Sequence, residues 1–511
     1  MVRSSGILMP ISSLPGTMGI GTMGASARSF VDFLAAAGQS VWQILPIGPT
    51  GYGDSPYQSC SAFAGNPYFI DLDLLAGEGL LQKADYARIT WGADPARVDY
   101  AVIYQKRFAV LRKAWANFKA RRPLPGYDTC WPDDWYAFRF RSDRWLPDYC
   151  LYMAIKEDQK MVSWLRWPRP LRLRDPAALA AFSAAHRDEL DFWAFLQYLF
   201  DRQWRALKAY ANAQGIRILG DIPIYVAADS ADAWAGGRLF EIDEEGAPRR
   251  VAGCPPDYFA ADGQLWGNPL YNWPYHRQTG YAWWIERVRH ALTIYDDLRI
   301  DHFRGFDTYW AIPAGETTAR NGRWEQGPGM DIFRELRMAL GDLPIVAEDL
   351  GELFDSVRTL LAESGFPGMK VLQFGFGGTD SEYLPHNYPR NCVCYPGTHD
   401  NTTMTDWITA AATPAERKNA TAYFALNKKE GLCRGILRGA LASPAALTVI
   451  PMADWLDIGA QGRINVPGEP AGNWQWRAAP DAFAPALAAE IRELTARYFR
   501  LPLRRAAETA Q

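Results

Sequence analysis

No run of the 511 residues approaches the ~18 consecutive apolar positions that a membrane-crossing helix needs. The N-terminal MVRSSGILMPISSLPG has neither a long apolar stretch nor a small-residue cleavage site, so no secretory leader is expected. Cysteine is scarce, odd in number (7) and scattered, which predicts reduced thiols and a cytoplasmic location. Cys392 and Cys394 form C-x-C, but inside an apolar run they fit alternate positions of a buried strand better than a metal site. The 6 histidines fall in no ligand spacing, so zinc is not expected. Charge of one sign is missing too: the net value of −3 gives no electrostatic case for nucleic acid or an anionic membrane. There is no phosphate-binding G-x-x-x-x-G-K-[ST], no internal repeat and no low-complexity tract. Gly19-x-Gly21-x-x-Gly24 follows a predicted strand, which invites a dinucleotide reading. The acidic residue which that fingerprint requires after the second strand is absent from VWQILPIGP (41–49).

What remains is an ordinary globular composition, 48% hydrophobic and 22% charged, with 14% aromatics that include 21 Trp and 24 Tyr. Eight apolar runs without strict alternation predict buried parallel strands: Gly6–Ile11, Val41–Pro46, Ile216–Asp221, Leu298–Asp301, Ile345–Glu348, Lys370–Phe374, Cys392–Tyr395 and Leu447–Pro451. Helical spacing separates many of them, as in Ser29–Ala37, Val102–Lys119 and Phe195–Ala211. Strand and helix alternating about eight times predict an α/β chain folded as a (β/α)8 barrel, with an open doubly wound sheet as the competitor. The spacing is uneven. Residues 1–74 are read as the first part of the barrel, 75–195 as an inserted, mainly helical subdomain, and 196–511 as the remainder. Within the last, 225–295 is read as an aromatic-rich loop insertion over the cleft.

Four acids, Asp221, Asp301, Glu348 and Asp400, each close or follow an apolar run and precede a loop signal. In a parallel barrel such positions form the C-terminal rim, where reacting groups gather. One acid there is ordinarily a helix cap or turn former; four at four strand ends call for another reason. Crowded carboxylates raise one another's pKa, a cost tolerated chiefly where chemistry uses it. Glycoside cleavage is such a use, with one carboxylate attacking the anomeric carbon and a protonated partner serving the leaving oxygen. Arg299 and Asp301 are two apart, so on a strand they face one side, where the arginine would keep the aspartate ionised. Glu348 and Asp349 would face opposite sides, and pattern alone does not choose between them.

These motifs, with SSGILMPISSLPG near the start, GYGDSPYQSCSAFAGNPYFIDL (51–72), GDIPIYVAADSADAW (220–234), PPDYF (255–259), LWGNPLY (265–271), RIDHFRG (299–305), VAEDLG (346–351), GTHDNTT (397–403) and GNWQWR (472–477), closely resemble the amylomaltases, or 4-α-glucanotransferases, of the α-amylase clan. The resemblance implies a (β/α)8 barrel without a separate C-terminal β-domain. It implies Asp301 as nucleophile, Glu348 as acid/base and Asp400 as the transition-state acid. It also implies that Arg299, His399 and Asp221 surround the reacting glucose and that Tyr57 is a platform beneath it. Asp257, Tyr258 and Phe259 fall in the family's loop over the cleft, and Trp266 in its L-W-G-N-P-x-Y stretch. The implied substrates are a maltooligosaccharide or α-glucan donor and a glucose or glucan acceptor. No metal or organic cofactor, and no calcium, is expected. Three other readings compete: a retaining α-glucan hydrolase with water as acceptor, an inactive glucan-binding protein, and a nicotinamide oxidoreductase resting on the glycine run alone.

Overall fold

In the computed structural model, residues 3–51, 53–121, 132–256, 261–351, 353–469 and 471–502 are described. Their strands are β1 (Ser4–Leu8), β2 (Val41–Gln43), β3 (Arg217–Pro223), β4 (Arg250–Cys254), β5 (Gln264–Pro269), β6 (Asp297–Asp301), β7 (Thr308–Pro313), β8 (Arg323–Gln326), β9 (Ile345–Ala347), β10 (Gly368–Val371), β11 (Cys392–Tyr395) and β12 (Leu447–Pro451). Eight of them form one parallel sheet in the order β10-β11-β12-β1-β2-β3-β6-β9. Its two ends meet: Ala347 N donates to Pro367 O at 2.9 Å, and Met369 N donates to Asp349 Oδ1 at 2.6 Å. The sheet is therefore a (β/α)8 barrel, and every expected strand lies in it. Boundaries move by a few residues; the run expected at Lys370–Phe374 starts at Gly368 and gives way to a 3-10 turn, Leu372–Phe374. No strand follows β12 among the described residues.

The helices form for visible reasons. Ala25–Ala36 buries Phe30, Val31, Phe33 and Leu34 on one face. Arg187–Ala213 is 27 residues long, starts with acids in its first turn, and leads straight into β3. Between β2 and β3 lie further helices, among them Tyr100–Lys119, Asp133–Arg141 and Leu146–Asp158. They pack on Arg187–Ala213 through rings such as Phe118 against Phe195, 4.8 Å between centroids. Such a pair contributes about 0.5–1.5 kcal/mol beyond its burial. Late in the chain, buried Arg500 donates to the carbonyls of Ser4, Leu441, Ser443 and Ala445, tying β1 to the segment before β12.

The run Gly19–Gly24 is a packing device. A Cβ on Gly21 would lie 1.8 Å from the Ile11 carbonyl oxygen, and one on Gly24 2.0 Å from Asp71 Oδ2. Asp71 in turn accepts from Thr22 Oγ1 at 2.6 Å and caps the helix Leu72–Gly77. The glycines thus let two loops meet, and nothing in the arrangement favours a dinucleotide.

A second sheet, antiparallel in the order β5-β4-β7-β8, combines segments that follow the C-terminal ends of β3 and β6. It stands on the same rim as the four acids. Residues 225–295 accordingly hold β4, β5 and the helices Ala231–Ala235, Trp273–Gln278 and Ala282–Ile294, besides their loops.

Candidate active site

On β6, Leu298 and Ile300 are fully buried on the helix side, which turns Arg299 and Asp301 inward. Register places Asp221 beside Arg299. Arg299 Nη1 donates to Asp221 Oδ2 at 2.6 Å and Nη2 to Asp301 Oδ1 at 2.9 Å. Asp221 is wholly buried, whereas the Asp301 side chain keeps 31% exposure, so of the two only Asp301 is open to a ligand. Burial pushes Asp221 up to about 6, with Arg299 opposing. Tyr57 Oη donates to Asp221 Oδ2 at 2.8 Å, and burial holds this phenol neutral by pushing its pKa well up. The Tyr57 ring lies parallel to His399, with centroids 5.1 Å apart.

β6 ends in a left-handed residue, His302 (φ 55°), uncommon for a side chain of that size. The kink aims His302 N at Glu348 Oε2, 2.7 Å away, while Leu350 N donates to Glu348 Oε1 at 3.0 Å. Glu348 sits one residue past β9. Burial first, then the charge of Asp301, pushes it up to about 8, against the pull of Arg299 and the two amides. It is an acid that keeps its proton at neutral pH. Asp349 faces the other way and is used as the barrel pin through Met369 N. Geometry therefore separates the two neighbours that pattern left undecided.

Asp400 lies in the loop after β11. Burial would raise its pKa, yet His399 (Nε2 to Oδ2, 3.2 Å) and Asn465 (Nδ2 to Oδ1, 2.6 Å) outweigh that and hold it at about 2. Trp266 stands on β5, edge-on to His302 at 4.8 Å. Tyr57, Asp221, Arg299, Asp301, Glu348, His399 and Asp400 thus form one connected set, with Trp266 joined through His302. Asp257, Tyr258 and Phe259 lie outside the described residues. No group of three or more His, Cys, Asp or Glu that could hold a metal ion occurs among the described residues.

Sequence reading missed Asn465, and Arg463, whose Nη2 donates to the Asp400 carbonyl at 3.0 Å. Both sit in irregular chain with no periodicity or strand end to mark them. Trp474 packs 5.8 Å from Tyr57 and 5.9 Å from His399; its motif was visible but its place was not.

This arrangement supplies a partly open carboxylate held by an arginine beside a protonated acid, with a third carboxylate fixed by nitrogen donors. A family model described as 4-alpha-glucanotransferase matches residues 9–482. The sequence is 46% identical over 496 residues to the 4-alpha-glucanotransferase of Clostridium butyricum, covering 96% of this chain and 100% of that one. Identity to the enzyme of that name from Thermus thermophilus is 45% over 500 residues, covering 96% and 98%. The solved amylomaltase from Streptococcus agalactiae in complex with acarbose superposes with a TM-score of 0.94 at 42% identity, covering 98% and 100%.

Proposed function

Because this chain belongs to the 4-α-glucanotransferase family, we propose that it cuts an α-1,4-glucan at Asp301 and passes the cut piece to the 4-hydroxyl of another glucan or glucose. The observation that carries the assignment of roles is the single arginine, Arg299, bonded to both Asp221 and Asp301 while Glu348 nearby holds its proton. Asp301 attacks the anomeric carbon, and Glu348 gives its proton to the departing oxygen, leaving a glucosyl–Asp301 ester of inverted configuration. Glu348, now a carboxylate, takes the proton of the incoming 4-hydroxyl, whose oxygen displaces Asp301 with a second inversion. Asp400, ionised and fixed by His399 and Asn465, holds ring hydroxyls as positive charge develops at the sugar.

Transfer wins over hydrolysis when the acceptor is held in attack geometry and water is kept out. We assign that task to Trp266 and to the loop residues Asp257, Tyr258 and Phe259, with Tyr57 as the platform beneath the reacting sugar. Residues 75–195 serve as a helical subdomain inserted into the barrel formed by 1–74 and 196–511. A reducing compartment such as the cytoplasm fits the free thiols of Cys60, Cys150, Cys254, Cys392, Cys394 and Cys433.

Incubation with maltotriose tests the reading. Glucose together with products longer than maltotriose is expected; shorter products alone mean a hydrolase, and an unchanged substrate means a binding protein.

A further inference from the structure

Arg299 has a third contact, and it comes from across the barrel. Its Nε donates to the Met369 sulfur at 3.4 Å, while Nη1 and Nη2 serve Asp221 and Asp301. We infer that Met369 is a positioning residue for the reaction: its thioether fixes the Arg299 guanidinium, and through it the attacking carboxylate of Asp301. The inference rests on the role given to Asp301 above.

Three observations carry it. First, little else holds Asp301. Among the described residues, Arg299 is the hydrogen-bonding partner of its side chain, so its place follows the guanidinium. Second, two points do not fix a plane. Asp221 on β3 and Asp301 on β6 hold the terminal nitrogens, which leaves the group able to tilt about the line that joins them. The third point, on β10, removes that tilt. Third, Met369 is itself tightly placed. It is 1% exposed, and its neighbour Lys370 points the other way, to Glu382. Met369 N donates to the side chain of Asp349, the residue after Glu348. One residue thus bridges the two reacting groups, by its backbone to the segment carrying Glu348 and by its sulfur to the arginine carrying Asp301.

A thioether suits this place better than a stronger acceptor. A third carboxylate would share the positive charge and weaken its pull on Asp301. Sulfur is uncharged, polarisable and a weak acceptor, so it satisfies the N–H and leaves the charge on the two aspartates. Leucine fills nearly the same volume but leaves a buried, charged donor without an acceptor. The guanidinium then turns to find one, and a displacement of about 1 Å at the nucleophile can cost up to about 10²-fold in rate.

The test isolates the attack by Asp301. In Glu348→Gln protein, α-maltosyl fluoride still reacts: the bond from C1 to Asp301 forms, the C–F bond breaks, and fluoride leaves without needing a proton from Glu348. The maltosyl–Asp301 ester accumulates because no base remains for the second step, and intact-mass spectrometry follows it. Adding Met369→Leu is expected to slow ester formation about tenfold or more; equal rates overturn the proposal. In the enzyme with Glu348 intact, Met369→Leu should lower kcat on maltotriose about tenfold and shift KM less than about twofold. α-Maltosyl fluoride should not relieve that loss; if it does, the defect lies in proton delivery and the proposal falls. Met369→Gln offers an acceptor oxygen near the place of the sulfur and keeps the test open if the leucine protein does not fold. Its kcat is expected within about threefold of the parent, and a drop of about tenfold or more overturns the proposal. If Glu348→Gln protein forms no ester on Asp301, the catalytic reading fails instead. The crystal structure of a Met369 variant then decides this inference: a turned guanidinium supports it, and an Arg299 fork unmoved on both aspartates overturns it.

Discussion

Glu348 is pulled in two directions by its neighbours, and the balance sets the working pH. Burial and Asp301 favour its proton; Arg299 and two amides favour the charge, and the proton wins up to about pH 8. An acid must carry that proton to serve the leaving oxygen, so activity is expected to decline as pH rises past that value. We expect kcat/KM on maltotriose to fall about tenfold per pH unit on the far alkaline side. A profile flat from pH 7 to 10 would remove Glu348 from this role. Asp400, held at about 2, stays ionised throughout and sets no limit in the neutral range. For Asp301→Asn, initial rates should drop by about 10³-fold or more with binding retained, since the amide cannot form the ester. Tyr57→Phe loses one hydrogen bond to buried Asp221 but keeps its ring on His399. A net loss of about 1–2 kcal/mol, or roughly 5–30-fold in kcat/KM, is expected, against a larger loss for Tyr57→Ala.

Among the elements, the junction of β9 with β10 is the weakest pairing of the barrel and is closed by one backbone bond, Ala347 N to Pro367 O, together with a side chain. Asp349 Oδ1 takes Met369 N, and Gly368 lies so close that a Cβ would come within 2.5 Å of the carboxylate. Asp349→Ala leaves a buried amide without an acceptor and should cost about 1–3 kcal/mol in chemical unfolding, whereas Asp349→Asn keeps an oxygen and should cost less. The eight barrel strands were readable because strands buried on both faces are written as unbroken apolar runs, and Cys392–Tyr395 and Leu447–Pro451 match to the residue. The antiparallel sheet was not. Its strands are half-exposed and contain Gly253, Gly267 and Pro269, so neither an apolar run nor clean alternation survives. Asn465 escaped for a related reason: its role comes from where irregular chain crosses the rim, which local pattern does not encode. The acids at the strand ends were legible, because position on a parallel strand dictates position on the rim.

At the scale of the whole molecule, 54 basic and 57 acidic residues nearly cancel, and the substrate carries no charge. The Arg299–Asp221 pair of the site is buried on both sides, and Arg299 and His399 are the buried partners of Asp301 and Asp400, so salt screens these contacts little. Raising ionic strength from about 0.05 to 0.5 M is therefore expected to change KM for amylose by less than about twofold, measured by initial rates. A steep dependence would mean that long-range steering contributes after all.

Arg500 brings the last described stretch of chain back to the first. Its guanidinium grips the Ser4 carbonyl and three carbonyls between 441 and 445, across a separation of nearly the full sequence. On the ribosome, β1 is made 496 residues ahead of this latch and waits for it. The junction of β1 with β12 is consequently secured long after β1 is made, and the unpaired edge of β1 needs protection from aggregation, by chaperones or by speed, during that interval.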